Sequence, residues 1–356
     1  MNKNKKVRIR LREDDQLGNS YDTASLFKAA ERLSGIVHRT PCKTSSTLNE
    51  RADKNVLLKL ENLQRTGSFK IRGAYNKIAQ LTDLECKKGI IAASAGNHAQ
   101  GVALAGMERG VHATVFMPEC TPSTKVAATR DYGAVVELVG QTFDETFEAA
   151  CEQQSQTGKT FIHPFDDLTV IEGQATVALE MMQQCPLLDT IVVPAGGGGL
   201  LAGTALGVKS IRPDIRVIGV QASAASAIAS AFFGHDLKLV PFMPTMAEGI
   251  KVKKPGELTL SIIRSYVDDM VTVSEAEIAN ALLFMLEREK MLVEGAGAAG
   301  VAAILNKRIG TSSKHAGVIV SGGNFDVAKL EMCRKVVEED KQKRARAKIL
   351  VQKRAR

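Results

Sequence analysis

A chain of 356 residues with 44% hydrophobic, 24% charged and only 4% aromatic residues, and no Trp, has the balance of a soluble globular protein and the length for about two domains. No apolar run reaches the roughly 18 residues of a membrane span. The six cysteines, Cys42, Cys86, Cys120, Cys151, Cys185 and Cys333, are scattered without a C-x-x-C pair, which excludes a disulfide framework and a zinc module. His38, His98, His112, His163, His235 and His315 are equally dispersed, so no metal site is expected. The net charge of +8 belongs to the ends: residues 1–12 hold six basic side chains and residues 341–356 hold eight, with no acids, so residues 13–340 carry −6. Basic ends can touch nucleic acid, but neither has interleaved aromatics or a reading module, so both are expected as solvated, partly disordered tails. The N-terminus lacks the apolar core of a secretory signal. It shares arginines and an absence of acids with mitochondrial transit peptides, but not their serines or apolar face, and a cytoplasmic location is expected.

In chain order, Thr23 to Leu33 reads as a helix with a threonine cap and Gly35 as its stop. Arg39-Thr40-Pro41 forces an extended passage. Thr44 to Lys54 reads as a short helix, and Val56 to Glu61 as a strand. A helix opens near Lys70, with Ser68 as a potential cap. Gly89 to Ala93 is a short apolar strand, and a small-residue helix runs from Asn97 to Arg109. Strand 113–117, helix 123–132, strand 134–139 and helix 144–156 follow. A third set of the same kind fills 160–221, with buried strands at 190–193 and 216–220. After a Pro/Gly-rich loop (241–256), strand 270–273, helices 274–290 and 298–306, and strand 316–320 complete the alternation.

Continuous apolar strands alternating with helices imply parallel sheets covered on both faces, an α/β fold. Two three-layer α/β domains are expected: residues 13–65 with 166–335 form the larger, 66–165 the smaller, and 1–12 and 336–356 are basic tails.

Three glycine-bearing turns follow strands: Ser94-Ala95-Gly96-Asn97-His98, Gly196-Gly197-Gly198-Gly199-Leu200 and Ser321-Gly322-Gly323-Asn324. Ligands of parallel α/β sheets bind beyond the carboxyl ends of the strands, so these turns can converge on one cleft. Four glycines leading into a helix leave backbone N–H groups free at the positive end of its dipole, which suits a phosphate; a tight strand-to-helix turn explains the same glycines. The run is neither a Walker loop nor the spaced dinucleotide fingerprint. Lys70, in Thr66-Gly67-Ser68-Phe69-Lys70-Ile71-Arg72-Gly73, opens a helix, where the dipole disfavours an ammonium. An amine kept neutral there can form a Schiff base with a carbonyl; the bland alternative is a solvated surface lysine. Phosphate site and reactive lysine together point to pyridoxal phosphate.

Residues 64–73, 94–101, 196–200 and 321–324, in that order and spacing, resemble the short-form threonine dehydratases (threonine ammonia-lyases) of the tryptophan-synthase-β-like, fold type II, pyridoxal 5'-phosphate enzymes; the resemblance spans about residues 20–330. It implies a cofactor in the cleft between two domains, bound to Lys70, which then acts as base on the substrate Cα. Asn97 would bond the cofactor's 3′-oxygen, Gly196, Gly197, Gly198, Gly199 and Leu200 would cradle the phosphate, and Ser321 would meet the pyridine nitrogen. Ser94, Ala95, Gly96, Asn97 and His98 would hold the substrate carboxylate, His98 through its backbone N–H more than its ring. Phe69 would pack beside the cofactor or in the core. Glu294 matches an acidic residue near the cofactor in relatives, with a helix cap as the equal alternative. The implied activity is elimination of water from L-threonine, giving 2-oxobutanoate and ammonia, with L-serine as a second substrate. A neutral Ser321 opposite the ring nitrogen limits carbanion lifetime, which suits elimination over transamination.

Serine racemases resemble this chain closely and are the alternative. They carry a serine at the position of Ala95 and bind a divalent ion through carboxylates shortly after the strand ending near Val220, where this chain has Gln221-Ala222-Ser223-Ala224. Both departures favour the dehydratase. About 26 residues follow Leu330, too few for the regulatory domain of larger relatives. By resemblance a homodimer or homotetramer and an AMP-type effector are expected. Outside the enzyme class, the basic ends leave a nucleic-acid-associated protein as the competing reading.

Overall fold

The structure is a computed structural model that describes residues 22–236 and 242–354. Its strands are β1 (Cys42–Thr44), β2 (Asn55–Leu60), β3 (Ile90–Ala93), β4 (Ala113–Met117), β5 (Val135–Leu138), β6 (Thr160–Phe161), β7 (Thr190–Pro194), β8 (Arg216–Ala222), β9 (Asp269–Val273) and β10 (His315–Val320). The helices are α1 (Ala24–Leu33), α2 (Ser46–Ala52), α3 (Lys70–Ile78), α4 (Asp83–Lys88), α5 (Asn97–Arg109), α6 (Ser123–Asp131), α7 (Phe143–Thr157), α8 (Leu168–Gln184), α9 (Gly199–Ile211), α10 (Ala227–Phe232), α11 (Glu257–Tyr266), α12 (Glu275–Glu287), α13 (Gly295–Leu305) and α14 (Leu330–Arg354).

Two sheets organise these elements. One has six strands in the order β1-β2-β10-β7-β8-β9, parallel except for the antiparallel edge pair β1–β2. The other has four parallel strands, β5-β4-β3-β6. The strand residues alternate between two cores, as the period-two geometry of a strand requires. Val192, Ile218, Val220, Val318 and Val320 pack with α2, α12 and α13. Ile191, Val193, Val217 and Ile319 pack with α8, α9 and α11 on the opposite face. In the smaller sheet Ile90, Ala92, Val115 and Met117 face α3 and α5, while Ile91, Ala93 and Phe116 face α7. Parallel strands buried on both faces favour apolar residues, so their sequences read as largely apolar runs, and the few polar members, such as Lys59 and Gln221, are buried with hydrogen-bond partners.

Helix α3 is the seam. Ile71, Ala74 and Ile78 enter the core of the smaller sheet, while Arg72 and Gly73 face α8, which packs on the larger one. The two backbones meet at glycines: a Cβ on Gly173 would lie 2.5 Å from the Arg72 carbonyl oxygen, and one on Gly73 would lie 2.2 Å from Gln174 Nε2. No larger residue at either position permits that approach.

Several local expectations change. Ser68 does not cap α3: Phe69 holds the cap position without a side-chain bond, and the buried Ser68 hydroxyl has no partner among the described residues. Thr23 makes no cap bond either, and Asp22 accepts from the Ala24 N–H instead (3.0 Å). The second helix starts at Ser46, with Ser45 as cap, because the residues before it form edge strand β1. The stretch expected as a C-terminal tail is helical to Arg354, anchored by buried Cys333 and Val337 in the α12–α13 core. The N-terminal tail, 1–12, lies outside the described residues. No helix among the described residues is long and apolar enough to cross a membrane.

Candidate active site

The four motifs meet around the amine of Lys70. The lysine opens α3, and its Nζ donates to the Pro164 carbonyl oxygen at 2.7 Å, 5.3 Å from the centre of the Phe69 ring. Part of the side chain stays open to the cleft, but the amine lies deep. Burial lowers its pKa from 10.5 to about 8, partly opposed by the charge of Glu294. Phe69 also packs against the larger sheet's core, so the contact with the amine and the core role coexist.

Segment 163–166 joins Lys70 to the glycine turn. Phe165, next to Pro164, packs so tightly on the turn that a Cβ on Gly197 would lie 2.2 Å from its ring, and one on Gly199 would lie 3.0 Å from its backbone. Gly198 caps α9 with φ +101°, a conformation that disfavours any side chain. The Gly197 carbonyl accepts from Thr259 Oγ1 at 2.8 Å. Asp166 closes the neighbouring helix α11, accepting from the N–H groups of Glu257 (3.1 Å) and Thr259 (3.0 Å). Of these two adjacent helix N-termini, one holds a carboxylate already, while that of α9 carries no side-chain cap. Leu200 is buried in its first turn.

Helices α2, α4, α7, α8 and α12 are closed by Ser45, Thr82, Thr142, Asp167 and Ser274. Helices α1, α3, α6, α10 and α13 have no side-chain cap at the N-cap residue, and neither do α5 and α9, which open at the glycine-bearing turns 94–98 and 196–200. At α5 and α9 the N–H groups and dipoles are left for anions, as a phosphate and a carboxylate require. The glycine cradle, the bare N-terminus of α9 and the amine with a depressed pKa fit a phosphate-bearing aldehyde cofactor.

Turn 94–98 sits at the start of α5. Ser94 Oγ accepts from the Gly96 N–H (3.2 Å), and Ala95 packs on the smaller sheet's core. The His98 ring turns inward: Nε2 donates to the Ile162 carbonyl oxygen (2.8 Å) and Nδ1 is left without a partner among the described residues. Burial, then the nearby Lys70 charge, pushes its pKa down to about 3, so it is neutral. Asn97 points the other way and donates through Nδ2 to Glu294 Oε1 at 2.8 Å. Glu294 occupies the cap position of α13 but makes no cap bond; its side chain reaches Asn97 instead. Burial raises its carboxyl from 4.5 to about 7, opposed by the Asn97 bond. Ser321, nearly fully buried, accepts the Phe69 N–H through its carbonyl (3.2 Å), and Ser68 forms a bridge with Gly322. Motifs one and four are thus joined by backbone.

Pro164, Phe165, Asp166 and Thr259 were not singled out from sequence. The signal was present, since His163-Pro164-Phe165-Asp166 follows strand β6 as the other turns follow theirs. It lacks the glycines that drew attention to them. His163, given no role from sequence, accepts from the Asp166 N–H at 2.7 Å and shapes this turn.

Gln221, where racemases begin a carboxylate ion site, is occupied structurally: it donates to the Ala195 carbonyl (3.1 Å) and accepts from the Ala229 N–H (2.8 Å).

A family model described as pyridoxal-phosphate dependent enzyme matches residues 33–322. The L-threonine ammonia-lyase of Thermotoga maritima is 50% identical over 302 residues, covering 85% of this chain and 75% of its own length. Among solved structures, a threonine deaminase from T.th. superposes with TM-score 0.80 at 41% identity, covering 85% of this chain and 98% of its own. Serine racemase from Dictyostelium discoideum superposes with TM-score 0.80 at 38% identity, with the same coverage. With the sheets, the glycine cradle and the buried amine in the places described, the chain belongs to the pyridoxal-phosphate-dependent enzyme family, in its fold type II form.

Proposed function

We infer that this protein is a threonine ammonia-lyase, converting L-threonine to 2-oxobutanoate and ammonia, with L-serine to pyruvate as a secondary activity. The observation that carries the reading is that the glycine cradle, turn 94–98 and the Ser321 turn all lie beside one buried lysine amine. Bound through its phosphate and aldehyde, pyridoxal phosphate supplies the electron sink that makes a proton on the substrate Cα removable. Gly196 to Leu200 donate backbone N–H groups to the phosphate. The N–H groups of turn 94–98 take the substrate carboxylate at the start of α5. Asn97 presents Nδ2 toward the cofactor's ring oxygen, and Ser321 offers a neutral hydroxyl to the ring nitrogen. Lys70 Nζ, free of ammonium character above its lowered pKa, takes the Cα proton. The Cβ hydroxyl leaves as water, gaining one proton for the one taken from Cα, and one water is consumed when the released enamine hydrolyses, so the sum is threonine to oxo acid plus ammonia.

Serine racemisation is the second reading, raised by the superposition on racemases. It needs a second proton carrier opposite Lys70. The Ala95 methyl cannot serve, and at the position where racemases bind a divalent ion this chain has Gln221, committed to two backbone groups. Purified enzyme given L-threonine is expected to release 2-oxobutanoate. D-serine formed from L-serine without pyruvate reverses the assignment.

A cytoplasmic location fits the free, scattered cysteines. By resemblance the reading also includes a homodimer or homotetramer and an AMP-type effector, which light scattering and titration with AMP test.

A further inference from the structure

Asn324, at the exposed rim of the cleft, ends a hydrogen-bond chain that decides which way the Asn97 amide faces. Its Nδ2 donates to the Thr66 carbonyl oxygen at 2.8 Å and to Asn97 Oδ1, also at 2.8 Å. Asn97 Nδ2 in turn donates to Glu294 Oε1. Which end of an amide side chain is nitrogen follows from its partners. A backbone carbonyl accepts only, so Thr66 requires the nitrogen of Asn324 on its side. The second N–H of that group then meets an acceptor, which must be Asn97 Oδ1. The Asn97 nitrogen is thereby turned away from Asn324 and toward Glu294. At the other end the Glu294 oxygen accepts from it, which agrees with the same orientation. The backbone makes room for this arrangement. Gly67, at φ +69°, has no Cβ, and one placed there would lie 2.4 Å from Asn324 Oδ1. The Gly323 N–H donates to the Gly67 carbonyl at 2.8 Å, holding both strands of the clamp together.

We propose that Asn324 is a positioning residue that, through Asn97 and braced by Glu294, holds the Asn97 amide with its N–H toward the cofactor's ring oxygen. The proposal rests on the assignment of Asn97 as a cofactor contact. Without Asn324 only the Glu294 bond still opposes a half-turn of the Asn97 amide, which would set an oxygen against an oxygen.

The test is a double-mutant cycle on the holoenzyme, read by cofactor release and by the visible absorbance of the bound cofactor. Asn324→Ser is the first variant: its single hydroxyl hydrogen can serve Thr66 but cannot also serve Asn97. Asn324→Ala is the second. The expected result is a roughly three- to tenfold weaker hold on the cofactor with a shifted absorbance band, at wild-type melting temperature for the serine variant. In an Asn97→Ala background the same substitutions add nothing. Wild-type cofactor affinity and spectrum in both variants overturn the proposal, as does a loss that adds in full to that of Asn97→Ala, since either means Asn324 does not act through Asn97. A wild-type protein that takes up no cofactor refutes the functional reading itself, a separate outcome.

Discussion

Lys70 Nζ donates to the backbone carbonyl of Pro164, 94 positions away, at 2.7 Å. One carbonyl acceptor and no ion pair, with only the opposite charge of Glu294 nearby, is a poor setting for an ammonium, and burial explains how a lysine becomes a nucleophile without a dedicated base. The carbonyl orients the amine, while burial pushes it toward neutrality.

That setting predicts how cofactor uptake depends on pH. With its pKa near 8, about half the Lys70 amine of cofactor-stripped protein is neutral at pH 8, against under ~1% for an amine titrating at 10.5. The rate at which stripped protein regains its visible absorbance is expected to rise with pH and reach its midpoint near 8. A midpoint above 10 contradicts the burial argument. Lys70→Ala removes the absorbance and lowers turnover by at least ~10³-fold.

Glu294 predicts a stability difference of the opposite sign. Its carboxyl titrates near 7 in the folded protein against 4.5 in an exposed chain, so the native state holds a proton that the unfolded state has lost between those values. That contribution is fully present below pH 4.5 and disappears as pH rises through 7. Glu294→Gln keeps an oxygen for Asn97 and removes the charge. The variant of cofactor-free protein is therefore expected to exceed wild type in stability by up to about 3 kcal/mol at pH 8, at ~1.4 kcal/mol per pH unit, and to match it near pH 4.5. Urea melts at both pH values check this; a constant difference across the range counts against it.

Gly197→Ala places a methyl carbon where the Phe165 ring lies, 2.2 Å away. Overpacking of this kind costs about 1–3 kcal/mol. Because Phe165 adjoins both the glycine cradle and the Lys70 acceptor, the cost is expected in cofactor affinity as well as in melting temperature. Equilibrium dialysis of the cofactor against variant and wild type separates the two. Unchanged affinity detaches the glycine turn from the site.

Arg72, two residues from Lys70, bonds Glu61 through Nε and Nη2 (both 2.8 Å) and Glu180 through Nη1 (2.6 Å), with Lys59 completing the group at Glu180 (2.6 Å). Arg72 and Glu61 are fully buried. Burial alone would raise the Glu61 carboxyl, but the Arg72 charge and bonds bring it below its ordinary value. Arg72→Met leaves that carboxylate with only the Thr40 hydroxyl and the more distant Lys59 charge, and is expected to cost about 3–5 kcal/mol at pH 7. Glu61 then titrates upward, so the variant recovers part of the loss as pH falls toward 5. Chemical denaturation at the two pH values measures it, and a flat difference argues that Glu61 stays paired.

Much of this molecule was legible in its sequence because its signals are local. Helix Asn97–Arg109 and strand Ala113–Met117 fall where the small-residue run and the apolar pentad put them, since propensity and burial agree there. Helix α13 starts three residues earlier than its pattern suggests, and its first turn carries Gly295 and Gly297, where a Cβ would lie 2.4 Å from the Met246 and Gly322 carbonyl oxygens. Edge strand β1 carries no period of its own and exists through pairing with β2.

The chemistry divides along the same line. Sequence by itself determined which groups are available: a lysine at the opening of a helix between glycine-bearing motifs, four glycines after an apolar strand, an alanine where a proton carrier would stand. Tertiary structure alone decided that Pro164 receives the amine, that Asp166 closes α11 and leaves α9 bare, and that Glu294 turns to Asn97 instead of capping its own helix. The physical reason is range. Hydrogen-bond geometry and desolvation depend on atoms a few ångströms apart in space, and in this fold those atoms come from segments as much as 258 residues apart in the chain, as between Thr66 and Asn324.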